Sequence, residues 1–245
     1  MTHCIFLAGA SGAIGQRLIP LLHDAGHRIV GTTRVAAKVE KLRALGAAPV
    51  VVDVFDAEAL KAAVLAAKPD IVIHQLTDLP PGLDPAKMAE AIGRNSRIRE
   101  EGTRNLVAAA IAAGARRFIA QSIAWMYAPG PRPHAEDDPL DQAAEGPRGI
   151  TLAGVISLET QTLQSPPLEG IVLRYGQLHG PGTGSEAPRP LAPLHVDAAA
   201  HAALLAIDRG KPGIYNIAEP NDLVATDKAR RELGFDASFR LPPAT

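Results

Sequence analysis

The sequence predicts an α/β fold, a doubly wound parallel sheet with helices on both faces and a small, truncated C-terminal lobe. Three observations carry this expectation. Strand-like apolar runs alternate with helix-like amphipathic runs through the first two-thirds of the chain, the order that builds parallel crossovers. The first such strand, residues 4–8, joins its helix through Gly9, Gly12 and Gly15, a turn suited to positive φ and close backbone approach. The length of 245 residues and a hydrophobic fraction of 47% are enough for one full core. Right-handed crossovers then place helices on both faces of the sheet.

Each element has its own signal. Residues 4–8 are a continuous apolar run, and the helix after the glycines shows Leu18, Ile19 and Leu22 on its inner side before stopping near Gly26. Strand two spans 28–32, and the second helix carries a stripe of Val35, Val39, Leu42 and Leu45. Strand three spans 49–54, and Asp56 caps a helix over 58–67. Strand four, 70–76, leads into a loop over 77–85, and one long helical pattern covers 88–113. Strand five spans 117–123, a loop rich in proline and acidic residues 128–149, a helix 151–163 and strand six 170–175. A Gly/Pro loop over 180–193 follows, then a helix over 197–208 capped by Asp197, a short strand over 214–217 and a last helix near 226–233. This divides the chain into a core of residues 1–175 and a lobe of 176–245 interleaved with the last core elements.

Composition narrows the partners. Basic and acidic residues nearly cancel, 25 against 26, so neither nucleic acid nor an anionic membrane is an expected partner. No apolar run approaches bilayer length. The N-terminus runs straight into the first strand, so no signal peptide and a cytoplasmic location are expected. Cys4 is the single cysteine, so no disulfide framework is expected. His195, Asp197 and His201 are the nearest approach to a ligand set, but without a cysteine or an H-x-x-x-H pair no metal is expected.

The glycine turn points the free N–H groups of a helix N-terminus outward, an arrangement that receives a diphosphate. Between a strand and a helix it predicts a Rossmann-type dinucleotide site built on Gly9, Ser11, Gly12, Ala13, Ile14 and Gly15. The end of strand two meets the adenosine ribose in such a site. It carries Arg34 and no carboxylate, which favours NADP over NAD because a guanidinium suits a 2′-phosphate; alternatively, Arg34 covers the solvent face of the second helix. Asp53, beside Val54, is placed either for the adenine amino group or for a bond to its own loop backbone. Gln75, Leu76 and Thr77 end strand four at the carboxyl edge, where ligands bind, while His74 points into packing.

Gly9 to Gly15, Glu101 to Leu106, Arg117 to Ser122, Leu173 to Gly182, Leu194 to Asp197, Gly213 to Ile217 and Lys228 to Phe235 occur in the right order and at the right intervals. With them the chain resembles, over nearly its whole length, the extended short-chain dehydrogenases/reductases, also called the NAD-dependent epimerase/dehydratase family. The resemblance implies a small-molecule substrate and a homodimer formed through the 88–113 and 151–163 helices. It also implies a Tyr-x-x-x-Lys pair and a hydroxyl after strand five, and here the chain departs. Anchored on Glu159, the tyrosine position holds Thr151 and the lysine position Val155; anchored on Tyr127, the hydroxyl position holds Ile123, with Ser122 one residue early and so on the other face. The 151–163 helix contains no lysine. Tyr127, Tyr175, His179 (where relatives carry a tyrosine) and Ser122 are the candidate replacements, each with a plain packing role as the alternative. Trp125 and Met126 are expected in the same cleft, and Glu136 as a lid over it. The short 184–195 segment argues against nucleotide-sugar substrates. The expected activity is an NADP-dependent oxidoreductase acting on a small carbonyl or activated alkene by a non-standard proton path. A non-catalytic NADP-binding sensor and a cofactor-independent isomerase or lyase are the alternatives.

Overall fold

The computed structural model describes residues 1–242; residues 243–245, the last of the expected lobe, lie outside the described residues. Nine strands and eight α-helices follow one another as β1 (Cys4–Ala8), α1 (Ala13–Asp24), β2 (Arg28–Thr33), α2 (Val39–Ala44), β3 (Ala48–Val51), α3 (Ala57–Ala67), β4 (Ile71–His74), α4 (Pro85–Arg97), α5 (Thr103–Ala112), β5 (Arg117–Ile123), α6 (Gly146–Leu163), β6 (Glu169–Tyr175), β7 (Gln177–His179), β8 (Pro193–His195), α7 (Val196–Leu205), β9 (Gly213–Ile217) and α8 (Asp227–Glu232) among the described residues. Seven strands form one sheet in the order β3-β2-β1-β4-β5-β6-β9, and every pair is parallel. The order reverses between β1 and β4, and that switch point opens a crevice at the carboxyl edge.

The central strands read as unbroken apolar runs because both faces are covered. On one face Leu18, Ile19 and Leu22 of α1 pack with Ala199 and Ala203 of α7; on the other Leu60 and Val64 of α3 pack with Leu106 and Ala110 of α5. Among the described residues no helix is long and apolar enough to cross a membrane.

Several boundaries differ from expectation. The long 88–113 pattern is two helices joined by a π-helical turn over Ile98–Gly102. The second helix begins only at Val39, after a 3-10 turn, and Val35 is exposed. The helix expected from 151 starts at Gly146, with Pro147 in its first turn, where its missing N–H costs nothing. Asp197 does not cap α7: the His195 imidazole accepts from the Asp197 N–H at 3.2 Å, and the Asp197 carboxylate instead binds Arg17 of α1 at 2.5 Å. Among the described residues, 176–242 hold the two-stranded β7-β8 pair, α7 and α8 around β9, and no regular element lies between His179 and Pro193.

Candidate active site

A cleft of about 690 Å³ lies over the carboxyl ends of β1, β2, β4 and β5. Gly9 forms its floor with φ +89°; a Cβ there would lie 2.5 Å from the Gln75 carbonyl oxygen. Only glycine lets the turn lie this close to β4. Gly15 is behind the lining, where a Cβ would lie 2.4 Å from Gly9 O, so it fixes α1 against the turn. The first turn of α1 has no acidic residue and no side-chain cap, which leaves its N–H groups and positive helix end facing the cleft. Ser11, Gly12, Ala13 and Ile14 line it, as do Arg34, Val54, Gln75, Leu76 and Thr77. Asp53 does not: its carboxylate accepts from the Phe55 N–H at 3.0 Å, the local bond that its loop position allows.

The residues present fit a dinucleotide. The Oε1 of Gln75 is buried without a hydrogen-bond partner, and its side chain lines the cleft next to the glycine cradle. A buried acceptor of this kind is a place for a ligand donor. Lys38 and Arg34 lie on the β2 side. Arg34 Nη2 contacts Asp78 at 3.1 Å, and the other oxygen of Asp78 takes Arg94 at 3.1 Å.

The expected proton donors separate sharply. Tyr175 reaches the cleft; its hydroxyl donates to Ala199 O at 3.1 Å and accepts from Gln75 Nε2 at 3.4 Å, and burial raises its pKa. Ser122, Tyr127 and His179 do not line it. Ser122 points to the far face, as its position one residue early implies, and donates to Glu159 at 2.7 Å. Tyr127 donates to Asn216 at 2.7 Å and accepts from Arg174 at 2.8 Å; burial raises its pKa, and the neighbouring Arg174 only partly offsets this. His179 is held by Glu219 at 3.2 Å. Met126 is packed away against Leu152 and Val155, whereas Trp125 lines the cleft. Glu136 is no lid: its carboxylate accepts from the Asn216 N–H at 2.9 Å. His201 stacks on Phe239, and among the described residues no three His, Cys, Asp or Glu side chains are grouped as for a metal.

Behind the cleft, Glu159 and Arg174 form a buried ion pair at 2.6 Å. Burial pulls the Arg174 pKa down, but the bonds and charge of Glu159 outweigh it and raise it. His74, buried and bonded to Thr103 at 3.1 Å, is held neutral: burial, aided by the charge of Arg99, pushes its pKa down to about 3. Thr151 stands in the cleft at the tyrosine position, while Val155 is buried behind it. Arg99 also lines the cleft. Its signal was the spacing of Met88, Ile92, Asn95 and Arg99 at i, i+4, i+7 and i+11, one helix face.

Sheet order, glycine cradle and cleft together define a Rossmann-type nucleotide-binding protein. A model of the NAD(P)H-binding family matches residues 9–149, more than half the chain. The chain belongs to this NAD(P)H-binding family. A Streptomyces protein, 3-diazoavenalumate denitrifying reductase, is 39% identical over 98% of this chain and 84% of its own length. The fold is that of epimerase/dehydratase proteins. UDP-glucose 4-epimerase of Thermotoga maritima, solved with UDP-glucose, superposes with a TM-score of 0.77 at 18% identity, over 98% of this chain and 94% of that one. WbmG of Bordetella bronchiseptica, solved with NAD, gives 0.73 at 19%, over 98% and 91%.

Proposed function

We propose that this protein is a nicotinamide-dependent reductase, preferring NADP(H), that passes hydride to a small electron-poor acceptor without a side-chain acid. The observation behind this reading is an intact nucleotide cradle in a cleft lined by Thr151, with Val155 buried behind it, where a tyrosine and a lysine would serve a proton. The dinucleotide, when bound, supplies hydride at nicotinamide C4. Gly9 and the first turn of α1 are the groups for its pyrophosphate, and Arg34 with Lys38 for a 2′-phosphate. Tyr175 is the one expected donor that lines the cleft, but its hydroxyl already donates to Ala199 O, and burial makes it a weaker acid. Thr151 Oγ1 donates to Pro147 O at 2.9 Å and has no acidity near neutral pH.

Ketone reduction, which needs a proton as hydride adds, is therefore poorly served. Two acceptors avoid the need. An activated alkene takes hydride at its β-carbon, becomes an enolate and collects a proton from water afterwards. An aryl diazonium takes hydride at the ring carbon: a C–H bond forms, the C–N bond breaks with its electron pair, and N2 leaves with no proton transferred. Similarity to the Streptomyces reductase, whose name joins a diazo substrate to reductive loss of nitrogen, favours the second.

Single turnover tests this. Protein and NADPH are mixed with aryl diazonium salts, enones, quinones and aldehydes, and NADPH absorbance is followed against protein-free controls. Consumption above control is expected with the diazonium salts or enones and not with simple aldehydes. No consumption on any of them, with NADPH still bound, overturns the reading in favour of a non-catalytic sensor. Substrate conversion without NADPH points to a cofactor-independent isomerase or lyase.

A further inference from the structure

We infer that Arg99 binds an anionic oxygen group of the substrate, a carboxylate on a flat apolar body, at the β4-β5 side of the cleft. The inference rests on the reductase reading above and names its substrate class. Arg99 sits in the π turn between α4 and α5, a helix irregularity frequent at functional sites. Its side chain passes Gly154 of α6, where a Cβ would lie 3.4 Å from Arg99 Cδ, and lines the cleft. Among the described residues no carboxylate lies within 4 Å of its guanidinium and no hydrogen bond engages it. The carboxylate whose charge acts on it is Glu159. Both Glu159 oxygens are already taken, at 2.9 and 2.6 Å by Arg174 and at 2.7 Å by Ser122. One carboxylate thus stands against two guanidiniums, and the surplus positive charge faces the cleft.

Burial pulls the Arg99 pKa down to about 10, with Glu159 opposing, so the group stays cationic at neutral pH. A desolvated cation is costly unless an anion meets it, and a guanidinium fork matches a carboxylate in two parallel bonds. The dinucleotide phosphates are not that anion. Their cradle, with Arg34 and Lys38, follows β1 and β2, while Arg99 comes from elements beyond β4. Met88, Ile92, Ile123 and Trp125 form the apolar part of this wall, with Asn95, Gln121 and Thr151 as its polar points. A flat conjugated body suits it.

The test uses cinnamate and its uncharged amide, titrated calorimetrically into protein saturated with NADP⁺, for the wild type, Arg99→Met and Arg99→Lys. NADP⁺ is titrated separately into each. Cinnamate is expected to bind the wild type, to weaken at least tenfold in Arg99→Met and to recover in part in Arg99→Lys. The amide should bind wild type and Arg99→Met alike, and NADP⁺ affinity should stay within twofold. Circular dichroism checks the fold; if Arg99→Met fails to fold, Arg99→Lys against the wild type decides, with a cinnamate loss and an unchanged amide expected. Equal cinnamate affinity in folded variants, no cinnamate binding to the wild type, or a tenfold loss of NADP⁺ in place of cinnamate each overturns the assignment. Failure of the wild type to bind NADP⁺ strikes the reductase reading instead.

Discussion

At the residue scale, the proposed preference for NADP(H) rests on Arg34. Asp78 steadies its guanidinium at the cleft while sharing its second oxygen with Arg94. The Arg34 side chain is 46% exposed, and such a pair is worth little in water, so a 2′-phosphate can displace Asp78 at small cost. Arg94 also meets Glu90 at 3.4 Å, so it keeps a carboxylate when Asp78 is disturbed. A charge-assisted bond contributes about 1.5–3 kcal/mol, or roughly ten- to a hundredfold in affinity. Arg34→Glu is therefore expected to weaken NADPH by that factor and to leave NADH within about threefold, read by titration of cofactor fluorescence. Equal weakening of both cofactors would remove Arg34 from the phosphate site. The same scale explains the failed donors. Ser122, on β5, faces Glu159 because alternate residues of a strand serve opposite faces, and Tyr127, beyond the end of β5, is turned to Asn216.

At the scale of elements, the site depends on how closely α4 and α6 meet. A Cβ on Gly154 would lie 2.8 Å from Ser96 Oγ and 3.0 Å from Ser96 Cα, contacts that side chains cannot keep without a shift of the helices. Gly154→Ala is expected to lower unfolding free energy by about 1–3 kcal/mol, the usual cost of overpacking, measured by urea denaturation. A change below about 0.5 kcal/mol, within the range of ordinary surface substitutions, would mean that the helices part freely. The main elements were legible because their signals are local: apolar strands, the glycine turn, the Asp56 cap that accepts from Ala59 N at 3.0 Å. The nucleotide half of the cleft was legible for the same reason, since Gly9 to Ile14 are one continuous stretch. The proposed acceptor half was legible only in part: Trp125 and Tyr175 are expected there and Thr151 stands at the tyrosine position, but Arg99 was missed, because nothing in the sequence marks the π turn at 98–102 that carries it. Short strands β7 and β8 escaped because three residues between prolines and glycines carry no period.

Over the whole molecule, the sheet's two covered faces bury titratable groups that couple stability to pH. His74 ends β4 at the switch point, packed edge-on against Phe118 and bonded to Thr103. Its folded pKa of about 3 lies below the ordinary value of 6.5, so the unfolded chain takes the proton first as pH falls. Its contribution to stability is complete above about pH 6.5 and is lost progressively as pH falls toward 3, at about 1.4 kcal/mol per pH unit for one proton. His195 and His201, lowered chiefly by burial, act in the same direction, so the wild-type slope should exceed that of one group. His74→Gln keeps a polar partner for Thr103 and removes the titration. Urea unfolding at pH 4.5, 5.5 and 6.5 should therefore show a variant slope shallower than wild type by about 1.4 kcal/mol per unit. Parallel slopes would mean that His74 is protonated in the folded protein, and the cation would then stand behind the cleft beside Arg99. Since the charge of Arg99 is one of the two causes that keep His74 neutral, an anion bound at Arg99 should ease His74 protonation. His74 and the anion proposed for Arg99 are in this way linked through one guanidinium charge.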